Sequence, residues 1–115
     1  MRLSARLGSV HMSFIKEEES FIDEFKKVEL DPSYDNRSIW KEQLTSSLET
    51  NNDRNNTKRI IGIDLVNPPF FAIPVSIKNL CHLRKLSLVS GGKVKLIPNS
   101  LADVLTLEEL RFEYL

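Results

Sequence analysis

Cysteine and histidine are the side chains of this sequence best suited to nucleophilic chemistry, and Cys81 directly precedes His82. A nucleophilic pair requires the two side chains to converge in space beside a third group that orients the base, and adjacency in the chain does not provide this. Because Cys81 stands between Leu80 and Leu83, we predict a buried structural thiol. A single cysteine also excludes an intramolecular disulfide framework and a cysteine-based zinc site.

Clustered carboxylates could bind a cation, and the run Glu17-Glu18-Glu19 is followed by Asp23 and Glu24. The run does not follow the oxygen-ligand spacing of a calcium loop, and it has no glycine for the sharp turn of such a loop. We therefore predict that these carboxylates form a solvated helix face.

Glycines before a lysine can cradle a phosphate, as in the segment Gly91-Gly92-Lys93. A phosphate loop would continue into a helix that starts with serine or threonine, and none follows here. The sequence also has no paired-histidine metal motif and no nucleophile elbow. We expect a protein without catalytic residues, metal or cofactor, and therefore not an enzyme.

The 115 residues are enough for one ordinary domain, and 16 basic side chains balance 16 acidic ones. Zero net charge argues against a globally basic nucleic-acid binder, so we expect no nucleic-acid partner. No segment approaches the roughly 20 apolar residues of a membrane span, and we expect a cytoplasmic protein. Residues 1–12 contain Arg2 and Arg6 and no acid, but they are short for a targeting peptide, so we predict a disordered terminus.

Two amphipathic helices are predicted in residues 13–58. The first runs from Ser13, its N-cap, to Leu30, because its aromatic and aliphatic residues share one face and Asp31-Pro32 ends it. The second runs from Ser38 to Thr50, with Asp35, Asn36 and Ser38 as candidate caps. Its apolar stripe is Trp40, Leu44 and Leu48, so we expect Trp40 to be a core anchor. The segment Thr50 to Lys58 has no apolar residue and is predicted to be a loop.

Residues 59–115 are self-similar, with units that start at Ile60, Leu83 and Leu107, which are 23 and 24 residues apart. Each unit has apolar residues at positions 1, 4 and 6, which predicts a short half-buried strand. Two complete units and the start of a third are present. Because one unit cannot bury its own apolar face, the units are expected to stack with parallel strands.

This half of the chain resembles the leucine-rich repeat family. The resemblance is carried by IPVSIKNLCHLRKLSL at 73–88 and by IPNSLADVLTLEELRF at 97–112. It implies an α/β fold, a short leucine-rich-repeat solenoid with parallel β-strands that is preceded by a helical N-terminal cap, here residues 13–58. Position 9 departs from the family's asparagine or cysteine, since it is Pro68 in one unit and Gly91 in the next, which predicts irregular turns.

The resemblance also implies that a protein partner binds to the concave sheet face, at positions 3, 5 and 7 of each unit. Lys85 would lie beside Glu109 there, and we predict an exposed ion pair between them. A merely solvated face is the alternative. The candidate partner-binding residues are Asp64, Val66, Lys85, Ser87, Val89, Glu109, Arg111 and Glu113, with Gly62 in the same rows.

Two functions remain open from the sequence, besides a purely structural or remnant product that has no partner. The first is a non-catalytic protein–protein interaction module, whose partner the sequence does not identify. The second is a recognition or regulatory fragment of a larger receptor-type or enzyme protein that continues beyond Leu115. The last strand would leave an unpaired edge, so self-association through that edge is also predicted.

Overall fold

Four strands and two α-helices make up the fold in the computed structural model, which describes residues 14–34, 36–89 and 93–113. Predictions for residues 1–12 and for Gly91-Gly92 lie outside these ranges. The elements in chain order are α1 (Lys16–Lys26), α2 (Arg37–Ser47), β1 (Leu48–Asn52), β2 (Lys58–Val66), the 3-10 helix η1 (Val75–Asn79), β3 (Lys85–Val89), the 3-10 helix η2 (Asn99–Asp103) and β4 (Glu109–Glu113). The predicted α/β class is confirmed.

The sheet has the order β1-β2-β3-β4, in which β1 is antiparallel to β2 and the other pairs are parallel. Gly62 pairs with Lys85, and Lys85 pairs with Glu109. The three parallel strands therefore align with no slip, in the register that the apolar positions 4 and 6 predict. Ile63, Leu65, Leu86 and Leu88 are all buried on the core side.

The two 3-10 helices repeat the same backbone bonds one unit apart. The N–H of Leu80 donates to Ile77 O, and the N–H of Leu83 donates to Leu80 O, at 3.1 and 3.2 Å. The second segment has the same bonds at the same distances, from Val104 to Leu101 O and from Leu107 to Val104 O. Each helix follows a proline, whose fixed φ suits the residue before a helical turn.

Helix α1 is shorter than the predicted Ser13–Leu30. The predicted N-cap Ser13 is outside the described residues, and Ile15 holds the N-cap position without a side-chain bond. The helix ends at Lys26 because the chain then extends along the first unit, where Leu30 bridges Phe70 and the N–H of Asp31 donates to Pro69 O at 2.8 Å.

Helix α2 begins at Arg37, one residue before the predicted Ser38, and its N-cap is Asn36, one of the three candidates, whose side chain accepts the N–H of Ile39 at 3.1 Å. Trp40 is a core anchor, fully buried against Phe25 and Phe70, and its indole N–H donates to Phe25 O at 2.9 Å. Arg37 donates to Lys26 O and Val28 O at 2.9 and 2.6 Å, which satisfies carbonyls at the end of α1.

The predictions of a helix to Thr50 and of a loop from Thr50 to Lys58 are wrong in part, because Leu48–Asn52 is the strand β1. Only residues 53–57 form a loop. Asp53 Oδ1 accepts the N–H groups of Asn55 and Thr57 at 2.8 and 3.0 Å, and Asn56 has φ of 62°. Asparagine tolerates this left-handed conformation, so the polar segment forms a hairpin turn between paired strands.

Candidate functional site on the sheet face

The candidate site is the face of the parallel strands that points away from the core, called here the sheet face. Its residues form three rows across β2, β3 and β4. The rows are Gly62, Lys85 and Glu109; then Asp64, Ser87 and Arg111; then Val66, Val89 and Glu113. The structure thus brings all the predicted partner-binding residues together, and neighbouring members of a row are about 4.8 Å apart.

Exposure along the sheet face is uneven. Val66 is 59% exposed, and Asp64, Glu109 and Arg111 are exposed as well. Ser87 occupies the middle of its row but is only 2% exposed, because its small side chain lies between the longer Asp64 and Arg111. Gly62 is also buried, since the Glu49 side chain of β1 lies over its Cα. In the middle row, Asp64 and Arg111 are therefore at the surface and Ser87 is not.

Charges of both signs alternate on the sheet face. Lys85 and Glu109 are register partners, but they form no ion pair among the described residues, so that prediction is wrong. Arg111 instead pairs with Glu113 two residues along its own strand. This leaves the Asp64 carboxylate one row from Val66 on β2, and the Lys85 ammonium two rows from Val89 on β3, without an ion-pair partner in the described part of the chain.

The β1 side of the sheet face is fixed by side chains from the helical region. Gln43 of α2 donates to Val66 O at 2.8 Å, at the end of β2. Asn67, the next residue, has φ of 53° and donates its N–H to Val89 O at 2.7 Å. The turn that leaves β2 is therefore held both by α2 and by β3, and it sets the position of the valine row.

The prediction of a buried thiol at Cys81 is wrong, because Cys81 is exposed. The flanking residues Leu80 and Leu83 are fully buried, and the turn between η1 and β3 points the intervening side chain outward. Its Sγ lies 3.6 Å from the carbonyl oxygen of Asn79.

A buried carboxylate that the sequence analysis missed is Glu18. Its side chain has no exposed surface, and it accepts the N–H of Ile60 at 3.1 Å and pairs with Arg59 at 3.4 Å. Arg59 also pairs with Asp53 at 3.2 Å. The prediction of a solvated acidic face is therefore wrong for Glu18. Residues 18, 21, 22 and 25 share one helix face, so the helical spacing alone indicates the inward position.

Burial raises the pKa of Glu18 above its ordinary value of 4.5, against the lowering effects of the Ile60 N–H, Arg59 and His82. The pKa of Asp53 is lowered from 3.8, first by the N–H of Thr57. The two carboxylates have opposite shifts because one is buried within the core and the other accepts loop N–H groups at the surface. Glu18 connects α1 to β2 through Ile60 and Arg59, and Asp53 connects the hairpin turn to β2 through Arg59.

No family model, curated protein or solved structure matches the chain. Within residues 14–34, 36–89 and 93–113, no three His, Cys, Asp or Glu side chains lie close enough together to hold a metal ion. None of the helices in those ranges has the length and apolar character needed to cross a membrane.

Proposed function

We propose that this chain is a short leucine-rich-repeat module that binds a protein partner non-catalytically through the sheet face. In this proposal β2, β3 and β4 are the strands of successive repeats, and α1, α2 and β1 cap the first repeat. The sheet face then corresponds to the concave face of the family.

The observation that carries the proposal is the aligned register of the three strands. It places the position 3, 5 and 7 side chains of successive units in rows, although the units are 23 and 24 residues apart. A spacing that tolerates an extra residue outside the strands and still keeps strand register is typical of stacked repeats. The repeated hydrogen bonds around η1 and η2 add support from the other side of the core.

A protein surface is the partner class that this chemistry favours. A nucleic-acid backbone would require clustered cations, whereas Asp64, Glu109 and Glu113 stand among the cations of the sheet face. The exposed Val66 beside Val89 supplies apolar area at the end of the strands, next to the charged Asp64 and Glu113, and protein interfaces combine apolar area with polar residues.

The test compares three immobilised chains with lysate of the source cells, using quantitative mass spectrometry of the retained proteins. The face variant carries Asp64→Lys and Lys85→Glu, which reverse two charges on β2 and β3 and leave β4 unchanged. The matched control carries Lys78→Glu, an exposed position on η1 away from the sheet face.

We expect a protein that the wild type and the Lys78→Glu control retain equally and that the face variant loses by at least about tenfold. The reversed charges would oppose the partner's complementary groups, and like charges at an interface are strongly unfavourable. If every retained protein is held equally by all three chains, the sheet face is not the binding surface and the proposal is wrong.

A further inference from the structure

The outer edge of β4 carries unpaired backbone groups. Among the described residues, β3 is the only strand beside β4. The N–H of Glu109 donates to Arg84 O at 2.9 Å, toward β3. Because successive residues of a strand direct their backbone groups to opposite sides, the N–H and C=O groups of Leu110 and Phe112 point away from β3. Such a strand is a template for pairing with another chain.

Apolar surface accompanies this edge. Leu110 is in the same row as the buried core residues Ile63 and Leu86, which are 1% and 2% exposed, yet it is 50% exposed itself. A groove beside it is lined by Ile97, Pro98, Leu101, Val104 and Leu107. The edge therefore presents hydrogen-bonding groups and the end of the hydrophobic core together.

We propose that a second copy of this chain occupies the edge, with the two β4 strands antiparallel about a two-fold axis at Leu110. Leu110 of each copy then exchanges both of its backbone hydrogen bonds with Leu110 of the other. The N–H of Phe112 donates to the carbonyl oxygen of Glu108 in the second copy. The two apolar grooves meet on the core side, and the two sheets become one.

Charge complementarity favours this register over one with its axis at Arg111. With the axis at Leu110, Glu109 lies directly opposite Arg111 of the second copy, and this pair occurs twice because the contact is isologous. These are non-hydrogen-bonded positions, where opposing side chains are closest. With the axis at Arg111, arginine faces arginine and Glu109 faces Glu113, and directly opposed like charges are destabilising.

A register with its axis at Phe112 is also charge-compatible, since Arg111 would then face Glu113 of the second copy. In either register Arg111 gains a second carboxylate besides Glu113 of its own chain. Only the axis at Leu110 places the two half-exposed leucines directly against each other. In the Leu110 register Glu109 faces Arg111 of the second copy, whereas in the Phe112 register it does not.

A charge exchange between two variants tests both the partner and the register. Arg111→Glu has glutamate at both positions 109 and 111, and Glu109→Arg has arginine at both. Each alone would place like charges opposite each other in a self-pair, whereas the two variants mixed restore opposite charges at every pair. Sedimentation velocity over a wide range of concentrations measures the wild type, each variant and the equimolar mixture.

We expect a concentration-dependent dimer for the wild type and self-association weaker by about tenfold or more for each variant alone. The mixture should return to dimers of near wild-type affinity. A wild type that stays monomeric at high concentration overturns the proposal. Recovery that fails in the mixture, or self-association of Glu109→Arg equal to wild type, overturns the Leu110 register on which it rests.

Two controls separate this result from misfolding and from the sheet-face proposal. Lys78→Glu changes a charge away from β4 and should dimerise as the wild type does. Fluorescence of the buried Trp40 reports whether each variant keeps the native core. The proposal concerns the strand edge, so a monomeric chain would leave partner binding by Asp64 and Lys85 to be decided by its own test.

Discussion

The two edges of the sheet differ in how other parts of the chain cover them. At the β1 edge, two helices and a hairpin cover the first parallel strand, and the buried Glu18 ties the helix α1 to the N–H of Ile60. At the β4 edge, the core row ends in Leu110, which is half exposed. The contrast shows that other elements of the chain cover the first parallel strand, whereas β3 is the only strand beside β4 among the described residues.

The covered end also contains the aromatic part of the core. Phe25 packs against Phe21, Trp40 and Phe70 with ring centroids between 4.9 and 5.4 Å apart. Three of these rings come from the helices, and Phe70 follows β2. The helices thus join the sheet in one core, and loss of that contact should affect the whole domain.

The largest expected effect is that of Trp40→Ala, which would remove the anchor of the covered end. We expect a loss of about 3–5 kcal/mol in the free energy of unfolding, from the cavity and from the lost hydrogen bond to Phe25 O. Urea unfolding measures it, with Leu105→Ala as the control at a residue that is 91% exposed. A loss below about 1 kcal/mol would show that the helices do not share the core of the sheet.

A second comparison uses two leucines of one row. Leu86→Ala should lower the free energy of unfolding by about 2–5 kcal/mol because Leu86 is 2% exposed. Leu110→Ala should lower it by roughly half as much or less, since about half of its transfer free energy is not gained on folding. Both are measured by urea unfolding at low protein concentration, where pairing of β4 does not contribute. Equal losses would contradict the difference between the edges.

Glu18→Ala should cost about 1–3 kcal/mol, because it leaves the buried N–H of Ile60 without an acceptor. Glu18→Gln keeps an acceptor oxygen and should cost less. The ranking of these two variants in urea unfolding shows whether the hydrogen bond or the charge carries the tie. If the alanine variant is as stable as the glutamine variant, the hydrogen bond from the Ile60 N–H to Glu18 does not stabilise the fold.

The pH dependence at the covered end follows from the raised pKa of Glu18. Between 4.5 and the raised value, the folded state retains a proton that the unfolded state has released, so stability falls as pH rises through this window. Asp53 behaves oppositely, since its lowered pKa makes stability fall as pH drops below 3.8. Unfolding measured across pH should lose the first slope in Glu18→Gln and keep it in Asp53→Asn. If Glu18→Gln shows the same decrease in stability with rising pH, another titrating group causes that decrease.

The smallest stability effect is expected on the sheet face. Asp64→Lys with Lys85→Glu should change the free energy of unfolding by less than about 0.5 kcal/mol for each substitution, because both positions are at the surface and neither forms an ion pair in the described part of the chain. The same variant is expected to lose its partner. A large loss of stability would mean that the face supports the fold rather than a contact.

The parallel strands could be predicted from the sequence because the apolar positions 4 and 6 recur within each unit, and the core rows follow from them. The strand β1 could not, because Leu48–Asn52 has one apolar residue and forms only by pairing with β2. Its strand state is a tertiary effect that local propensity does not contain.

The site residues show the same division. Their rows follow from the repeat spacing, whereas the burial of Ser87 depends on the neighbouring side chains from adjacent strands. The exposure of Cys81 does not follow from the buried leucines on either side, because the tight turn between Leu80 and Leu83 directs the Cys81 side chain outward. The burial of Glu18 does follow from the sequence, since its helical position places it with Phe21, Ile22 and Phe25.

Amide hydrogen exchange, resolved by residue at low protein concentration, tests the difference between the two edges most directly. We expect strong protection for Ile63 and Leu65 in β2 and for the core amides of β3, and little protection for the outward-facing amides of Leu110 and Phe112. Protection of those two amides should rise with protein concentration. Protection of Leu110 and Phe112 equal to that of β3 in dilute solution would contradict the account, because it would show that the β4 edge is already covered within one chain.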